Sequence, residues 1–386
     1  MSNSSAFIYV QHLLGIGHLK RAATIARALA AEGMQVTLAS GGLPVPGMAI
    51  EGVRLVQLPP ASAADMSFKL LLDENGHAVD ENWRRRRGAA LLEAWKAADA
   101  QVLLLELFPF GRRQMRFELL PLLDAASAVP RRPVIVCSVR DILGGLKSPQ
   151  RQLEAIGIVE RYFDRVLVHG DRGIIPFERS FPGAARIAGK ISYTGYVVDE
   201  PAPVGSLEGK GEVMVSAGGG AVGAGLLETA ILAKPLTALR DRGWRLLAGN
   251  NLPEEAFGRL AHLAAGETGV VLERSRPDFT TLLSNCALSV SQAGYNTLLE
   301  TVRARARAVV VPFAGGHETE QTLRALCFAQ RGLLEVVEEA ALTPSALAAA
   351  IDLAARKPLP APGAIDLDGA SKSVALIARM VEERSS

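Results

Sequence analysis

Three kinds of residue in this 386-residue chain could do chemistry: a histidine beside glycines, glycine-rich turns ahead of helices, and an acid next to an amide. The first is in "LLGIGHLKRAATIARAL" (13–29), where Gly15, Gly17 and His18 separate a short apolar run from an amphipathic helical pattern. The positive end of a helix disfavours imidazolium, so a neutral His18 could accept a proton there. Two glycines are one short of the dinucleotide fingerprint, with Lys20 where a third could stand, and no acid ends the run 35–40 to hold a ribose. That excludes a dehydrogenase. The plain alternative is a turn histidine bonded to nearby backbone.

"VMVSAGGGAVGAGLLETAI" (213–231) sets Ser216, Gly218, Gly219 and Gly220 between an apolar run and a helix, a nest of bare N–H groups suited to an anion. "ALSVSQAGYNTLLETV" (287–302) repeats that geometry with Ser291, Gly294, Tyr295, Asn296 and Thr297, and puts Glu300 one turn into the helix. A diphosphate on this helix end would gain roughly 0.3–1 kcal/mol from the dipole at an exposed site, with the ribose hydroxyls on Glu300. In "VVVPFAGGHETEQTLRA" (309–325), His317 precedes Glu320 and Gln321, and an acid beside an amide matches the vicinal hydroxyls of a sugar. Taken singly, each has an ordinary reading as a turn or a capped helix.

These stretches need a frame that brings them to one rim. Val-, Ile- and Leu-rich runs at 6–10, 35–40, 53–58, 101–106, 133–138 and 165–170 alternate with helical patterns, and a second set follows at 212–217, 244–249, 269–273, 287–291 and 308–313. This rhythm predicts an α/β protein of two Rossmann-like domains with parallel sheets. Residues 1–195 form the first, the Pro- and Gly-rich 196–211 a linker, and 212–365 the second, with a last helix at 370–386 packing back on the first. Stretch 62–98 breaks the rhythm and reads as a helical insertion. Ligands of such sheets sit beyond the carboxyl ends of the strands, which adds Glu106, Arg140, Asp141 and Asn250 to the candidates. Glu106, ending "LLLE", is a second possible base, its carboxyl raised by partial desolvation. Arg112, Arg113 and Arg140 are placed to hold an anionic acceptor.

Apolar residues make up 49% of the chain and charged ones 21%, which describes a globular protein, and the net charge of +2 argues against nucleic acid as a partner. Three scattered cysteines match no disulfide or zinc spacing, and there is neither a signal-peptide pattern nor an apolar run of spanning length. A cytoplasmic protein without support for membrane contact is expected. "DLD" (366–368) has a metal-binding spacing but lies in a proline-rich segment away from any strand end, so no metal is assigned.

"GIGH", "SAGGG", "SQAGYNTLLE" and "VPFAGGHETEQ" together resemble the pattern of the MurG-like glycosyltransferases of family 28, most specifically over 210–340. The first half, with "ELFPFGRRQMRFELLPLL" and "YTGYV", resembles bacterial glycosyltransferases related to that family. The resemblance implies a GT-B fold, its two sheets facing across a cleft, with the acceptor bound by the first domain and the nucleotide sugar by the second. Carried over by position, Ser291 to Thr297 would hold the diphosphate and Glu300 the ribose. Arg274, Ser275 and Arg276 would line the uracil, and Glu320 with Gln321 would read the sugar where the family has two glutamines. The expected activity is metal-independent, inverting transfer of a hexose or N-acetylhexosamine from a UDP-sugar to an unidentified acceptor, with His18 or Glu106 as base and Gly15, Arg112, Arg113, Arg140 and Asp141 toward the acceptor. The alternatives are a UDP-sugar hydrolase or 2-epimerase on the same fold, or a nucleotide-sugar-binding protein without turnover.

Overall fold

The structure, a computed structural model, describes residues 4–45, 50–64, 70–144, 148–199, 206–218, 223–314 and 319–385. It divides into two compact units, Met1–Val197 with Asp368–Ser386, and Val198–Leu367.

The first unit runs β1 (Ser5–Val10), α1 (Gly17–Ala31), β2 (Gln35–Ser40), β3 (Val53–Gln57), β4 (Ser62–Ala63), β5 (Leu71–Leu72), α2 (Glu81–Ala98), β6 (Val102–Glu106), α3 (Arg116–Ala128), β7 (Val134–Arg140), α4 (Pro149–Tyr162), β8 (Arg165–His169) and β9 (Ile191–Tyr193). Seven of these strands form a parallel sheet in the order β3-β2-β1-β6-β7-β8-β9. Helices cover both of its faces, which is why its central strands are apolar throughout instead of alternating. Phe7, Leu103, Leu105, Ile135 and Cys137 face α2 and α3, while Ile8, Leu104, Val136 and Leu167 face α1. Residues 62–98 are helical only from Glu81 onward; β4 and β5 pair as a short antiparallel hairpin before it, and residues 65–69 lie outside the described ones. Asp80 caps α2, its carboxylate accepting from Trp83 N at 2.7 Å, so the helix could not start earlier without losing that bond.

The second unit runs β10 (Val213–Ser216), α5 (Ala224–Ala233), β11 (Trp244–Ala248), α6 (Glu254–Ala265), β12 (Val270–Arg274), α7 (Phe279–Asn285), β13 (Leu288–Ser291), α8 (Tyr295–Arg303), β14 (Ala308–Val310), α9 (Glu320–Gln330), β15 (Glu335–Val336) and α10 (Pro344–Arg356). Its six strands are also parallel, in the order β12-β11-β10-β13-β14-β15. The chain then returns to the first unit as α11 (Gly369–Ser385), laying Val374, Ile377 and Val381 among the apolar side chains of α1. No described helix is long and apolar enough to cross a membrane.

A charged pair joins α2 to α3 wholly inside the first unit. Arg87 of α2 donates to Glu118 of α3 at 2.7 Å, and both side chains are fully buried. Further bonds run from Arg87 to Gly41 O, Pro59 O and Gln11 Oε1, and from the Tyr9 hydroxyl to Glu118, so every group in the cluster finds a partner. Such a pair adds little net stability while intact and is costly to halve. Glu118→Ala is expected to lower the unfolding free energy by about 3–5 kcal/mol in urea melts. Removing the exposed Glu81 from its pairing with Arg84 should change it little.

Candidate active site

Strand periodicity explains how the chemistry of the first unit is assembled. Side chains two apart share a face, so Glu106 continues the row of Leu104, Ser138 that of Val136, and His169 that of Leu167, all on the α1 side of the sheet. Glu106 and Ser138 are register partners, and Thr194 follows directly after β9. At the strand ends this apolar row turns polar, just where the first turn of α1 crosses it. His18 and Arg21, one turn apart, face down onto it.

Glu106 is the hub. Its Oε1 accepts from His18 Nδ1 at 2.9 Å and from Arg21 Nη2, and its Oε2 accepts from Ser138 Oγ at 2.6 Å. Ser138 Oγ lies 2.9 Å from His169 Nε2, and His169 Nδ1 lies 2.8 Å from Thr194 Oγ1. Because the carboxylate can only accept, His18 must carry its proton on Nδ1 and present a bare Nε2, which has Arg140 Nη2 at 3.5 Å. The Glu106 side chain is 0% exposed and that of His18 14%.

The expectation that Glu106 could itself be the base is therefore corrected: it is sealed beneath its partners. Its carboxyl is not raised either. Burial pushes it up, but Arg21 and the bonds from His18 and Ser138 outweigh burial and hold it well below the usual carboxylate range. Burial, reinforced by Arg112 and Arg140, pushes His18 down to about 3 against the upward pull of Glu106. His169 falls to about 3 through burial and Arg21, and His12 to about 4 through burial and Arg112.

The other acceptor-side candidates separate. Gly15 is exposed in the loop before α1, flanked by exposed Leu14 and Ile16. Arg112 turns inward, its Nε donating to Gln11 O at 2.7 Å, whereas Arg113 is exposed and pairs with Glu154 at 3.3 Å. Asp141 is buried and accepts from Ile142 N. The sequence does not single out Arg21, Ser138 or Thr194; the i, i+3 spacing from His18 points to Arg21 and the register of β6 with β7 to Ser138, while nothing local marks Thr194.

In the second unit, register places Ser216 of β10 beside Ser291 of β13, and Ser291 beside Val310 of β14. Both serines are buried, and the Ser291 hydroxyl has no partner among the described residues. Gly294 precedes α8, so the first-turn N–H groups, Asn296 and Thr297 among them, have no acceptor within the helix and open next to that strand end; Glu300 is half-buried one turn on. Glu320 and Gln321 start α9, where Glu320 takes a bond from Arg324 at 2.9 Å and Gln321 Oε1 accepts from Phe313 N at 3.2 Å. The Arg324 guanidinium lies over the Tyr295 ring at 5.0 Å, tying α9 to α8. Arg274 is held by Glu254, Gly249 O and Leu252 O, Arg276 by Asp278 and Glu273, and Ser275 N by Ala248 O, while Asn250 is exposed. Gly219, Gly220, His317 and Glu318 lie outside the described residues. Asp368 bridges to Val197, both within the first unit.

Residues 218–375 match the glycosyltransferase family 28 C-terminal domain. No curated protein matches the sequence. Among solved structures, the chain is similar to MurG of Acinetobacter baumannii at 15% identity over 97% of this chain and 100% of that one, with a TM-score of 0.58. It is similar to the calicheamicin glycosyltransferase CalG4 at 15% identity over 99% and 95%, TM-score 0.59. A UDP-glucosyltransferase from Polygonum tinctorium aligns at 12% identity over 100% of both chains, TM-score 0.61. The fold is that of the GT-B glycosyltransferases.

Three depressed imidazoles make stability depend on pH with a definite sign. The unfolded chain binds protons on His12, His18 and His169 near the ordinary 6.5, and the folded chain does not until about 4, 3 and 3. Stability is therefore lost as pH falls below 6.5. Unfolding at pH 5 should take up close to three protons through these rings, and the unfolding free energy should drop by about 3–4 kcal/mol between pH 6 and 5. Urea melts across that range check it; a flat profile would show the rings titrating normally.

Proposed function

We infer that this chain, a glycosyltransferase carrying a family 28 C-terminal domain, moves a hexose or N-acetylhexosamine from a UDP-sugar to a hydroxyl acceptor, inverting the anomeric centre. The observation that carries the reading is the His18–Glu106 pair, with Nδ1 bonded to a buried carboxylate and Nε2 unprotonated beside Arg140 Nη2 at 3.5 Å. His18 takes the proton of the acceptor hydroxyl on Nε2 while that oxygen forms a bond to the anomeric carbon. The bond from this carbon to the β-phosphate oxygen breaks, and UDP leaves with the electron pair. Positive charge then appears on His18 at 2.9 Å from the ionised Glu106, so the carboxylate stabilises what develops in the transition state more than what precedes it. Glu106 is thus a positioning and charge-stabilising residue, and Arg21 with Ser138 keeps it ionised and in one orientation.

In the second unit, the first-turn amides of α8 and the unpartnered Ser291 hydroxyl would receive the diphosphate, and Glu300 the ribose. These donors offset the charge of the leaving UDP, so the reading assigns no metal. Glu320 and Gln321, at the start of α9, would face the sugar.

UDP at 100 times its Kd should add roughly 2.7 kcal/mol of stability, read as a rise in Tm. His18→Ala should lower kcat by about 10²–10⁴-fold while UDP binding persists. Unchanged turnover in that variant, or a Tm indifferent to UDP and UDP-sugars, would overturn the reading.

A further inference from the structure

The segment linking β6 to α3 is built at a conformational cost around one arginine. Leu107 and Arg112 are both left-handed, at φ +68° and +57°, a region that non-glycine residues occupy only when the surroundings impose it. The surroundings here do so. Leu107 N donates to Ser138 O at 2.8 Å, Gly111 N to Leu107 O at 2.9 Å, and Met115 N to Arg112 O at 2.9 Å. Phe110 is buried edge-on against Phe177 and Phe181, with centroids at 5.7 and 5.1 Å. A Cβ on Gly111 would come within 2.7 Å of the Leu107 side chain, so the loop closes this tightly only with glycine at that position.

The product of this arrangement is a guanidinium without a counter-ion. Arg112 spends Nε on the Gln11 carbonyl, and among the described residues no carboxylate lies within ion-pair distance of it. Glu106, the carboxylate that draws on it, is already taken up by Arg21, His18 and Ser138. Burial and the like charge of Arg140 even pull Arg112 down to about 10. A half-desolvated cation with two unused NH2 groups in a planar fork is matched by an oxyanion. Arg140 reaches to 3.5 Å from His18 Nε2, and both arginines act electrostatically on that ring, so the vacancy for negative charge adjoins the base.

Resting on the transferase reading above, we propose that the acceptor carries an oxyanion, a carboxylate or a phosphoryl group, that seats against the Arg112 fork beside Arg140 while its hydroxyl meets His18 Nε2. The anion does two things there. It selects the acceptor by charge, and it removes the positive field that weakens His18, so the base gains strength only when the correct acceptor is bound.

The test uses the full chain with its UDP site saturated, so that added phosphate meets only the acceptor side. Inorganic phosphate and, in a parallel arm, acetate are titrated while the His18 ring is followed by NMR, its resonance assigned with His18→Gln. Saturable movement of that resonance with an upward shift of the His18 titration is expected, and the tighter of the two ligands identifies the oxyanion. Arg112→Met should weaken binding at least tenfold, Arg112→Lys much less, and Arg116→Met, which alters a charge paired with Glu154, not at all. No saturable response to either anion, or equal affinity in Arg112→Met with its fold intact by near-UV circular dichroism, overturns the proposal. A chain that binds UDP and loses turnover in His18→Ala yet fails this test keeps the transferase reading and loses only the anionic acceptor.

Discussion

A carboxylate cannot be taken out of water alone, and the first unit is organised around that constraint. Glu106 ends a strand in the middle of a seven-stranded sheet that helices cover on both faces, so its side chain is committed to the interior. An unpaired ion in such a place would protonate or unfold its surroundings. Arg21, His18 and Ser138 each supply a donor, Ser138 is in turn held by His169, and His169 by Thr194. The same constraint that satisfies Glu106 dictates the tautomer of His18, and with it which ring nitrogen faces outward. Structural necessity and chemical competence are here one set of hydrogen bonds.

The two units handle charge by different means. In the first, side-chain ions sit on a rigid frame of buried aromatics and apolar strands. In the second, the candidate anion site is mostly backbone: helix amides beyond β13 and a hydroxyl from the strand end, with Glu300 and the Glu320–Gln321 pair as the side-chain readers. A backbone site costs no desolvated cation and suits an anion that must come and go. Arginines suit an environment in which charge has to be held while a proton moves.

Much of this was legible before any coordinates. Nine of the eleven apolar runs mark the central strands of both sheets to within three residues, because a strand buried on both faces must be apolar along its whole length, and the other two mark the edge strands β3 and β12. The edge strands at the other end of each sheet were not legible. β9 and β15 are two or three residues long and only half-buried, so nothing in their composition distinguishes them from loops. The stretch before α2 reads as helical because it breaks the strand-helix rhythm, yet its backbone pairs as a hairpin, since a cap at Asp80 and a tight turn at 73–76 settle it locally. His18 and Glu106 could each be picked out as strand-end or helix-start residues, 88 positions apart, but not as partners.

Residue types and their spacing by themselves determined which positions face which side of a strand or helix, and hence that His18, Glu106, Ser216, Ser291 and Glu300 stand at the carboxyl rims of parallel sheets. They did so because period two and period 3.6 are properties of the local backbone. Tertiary structure alone decided that Glu106 is sealed while His18 keeps a small exposed edge, that Arg112 turns inward while Arg113 pairs with Glu154, and that Arg21 completes the cluster. Those outcomes depend on strand register and on where α1 crosses the sheet, which are set by the packing of segments far apart in the chain. Burial and charge pairing, and therefore protonation, exist only once that packing is in place.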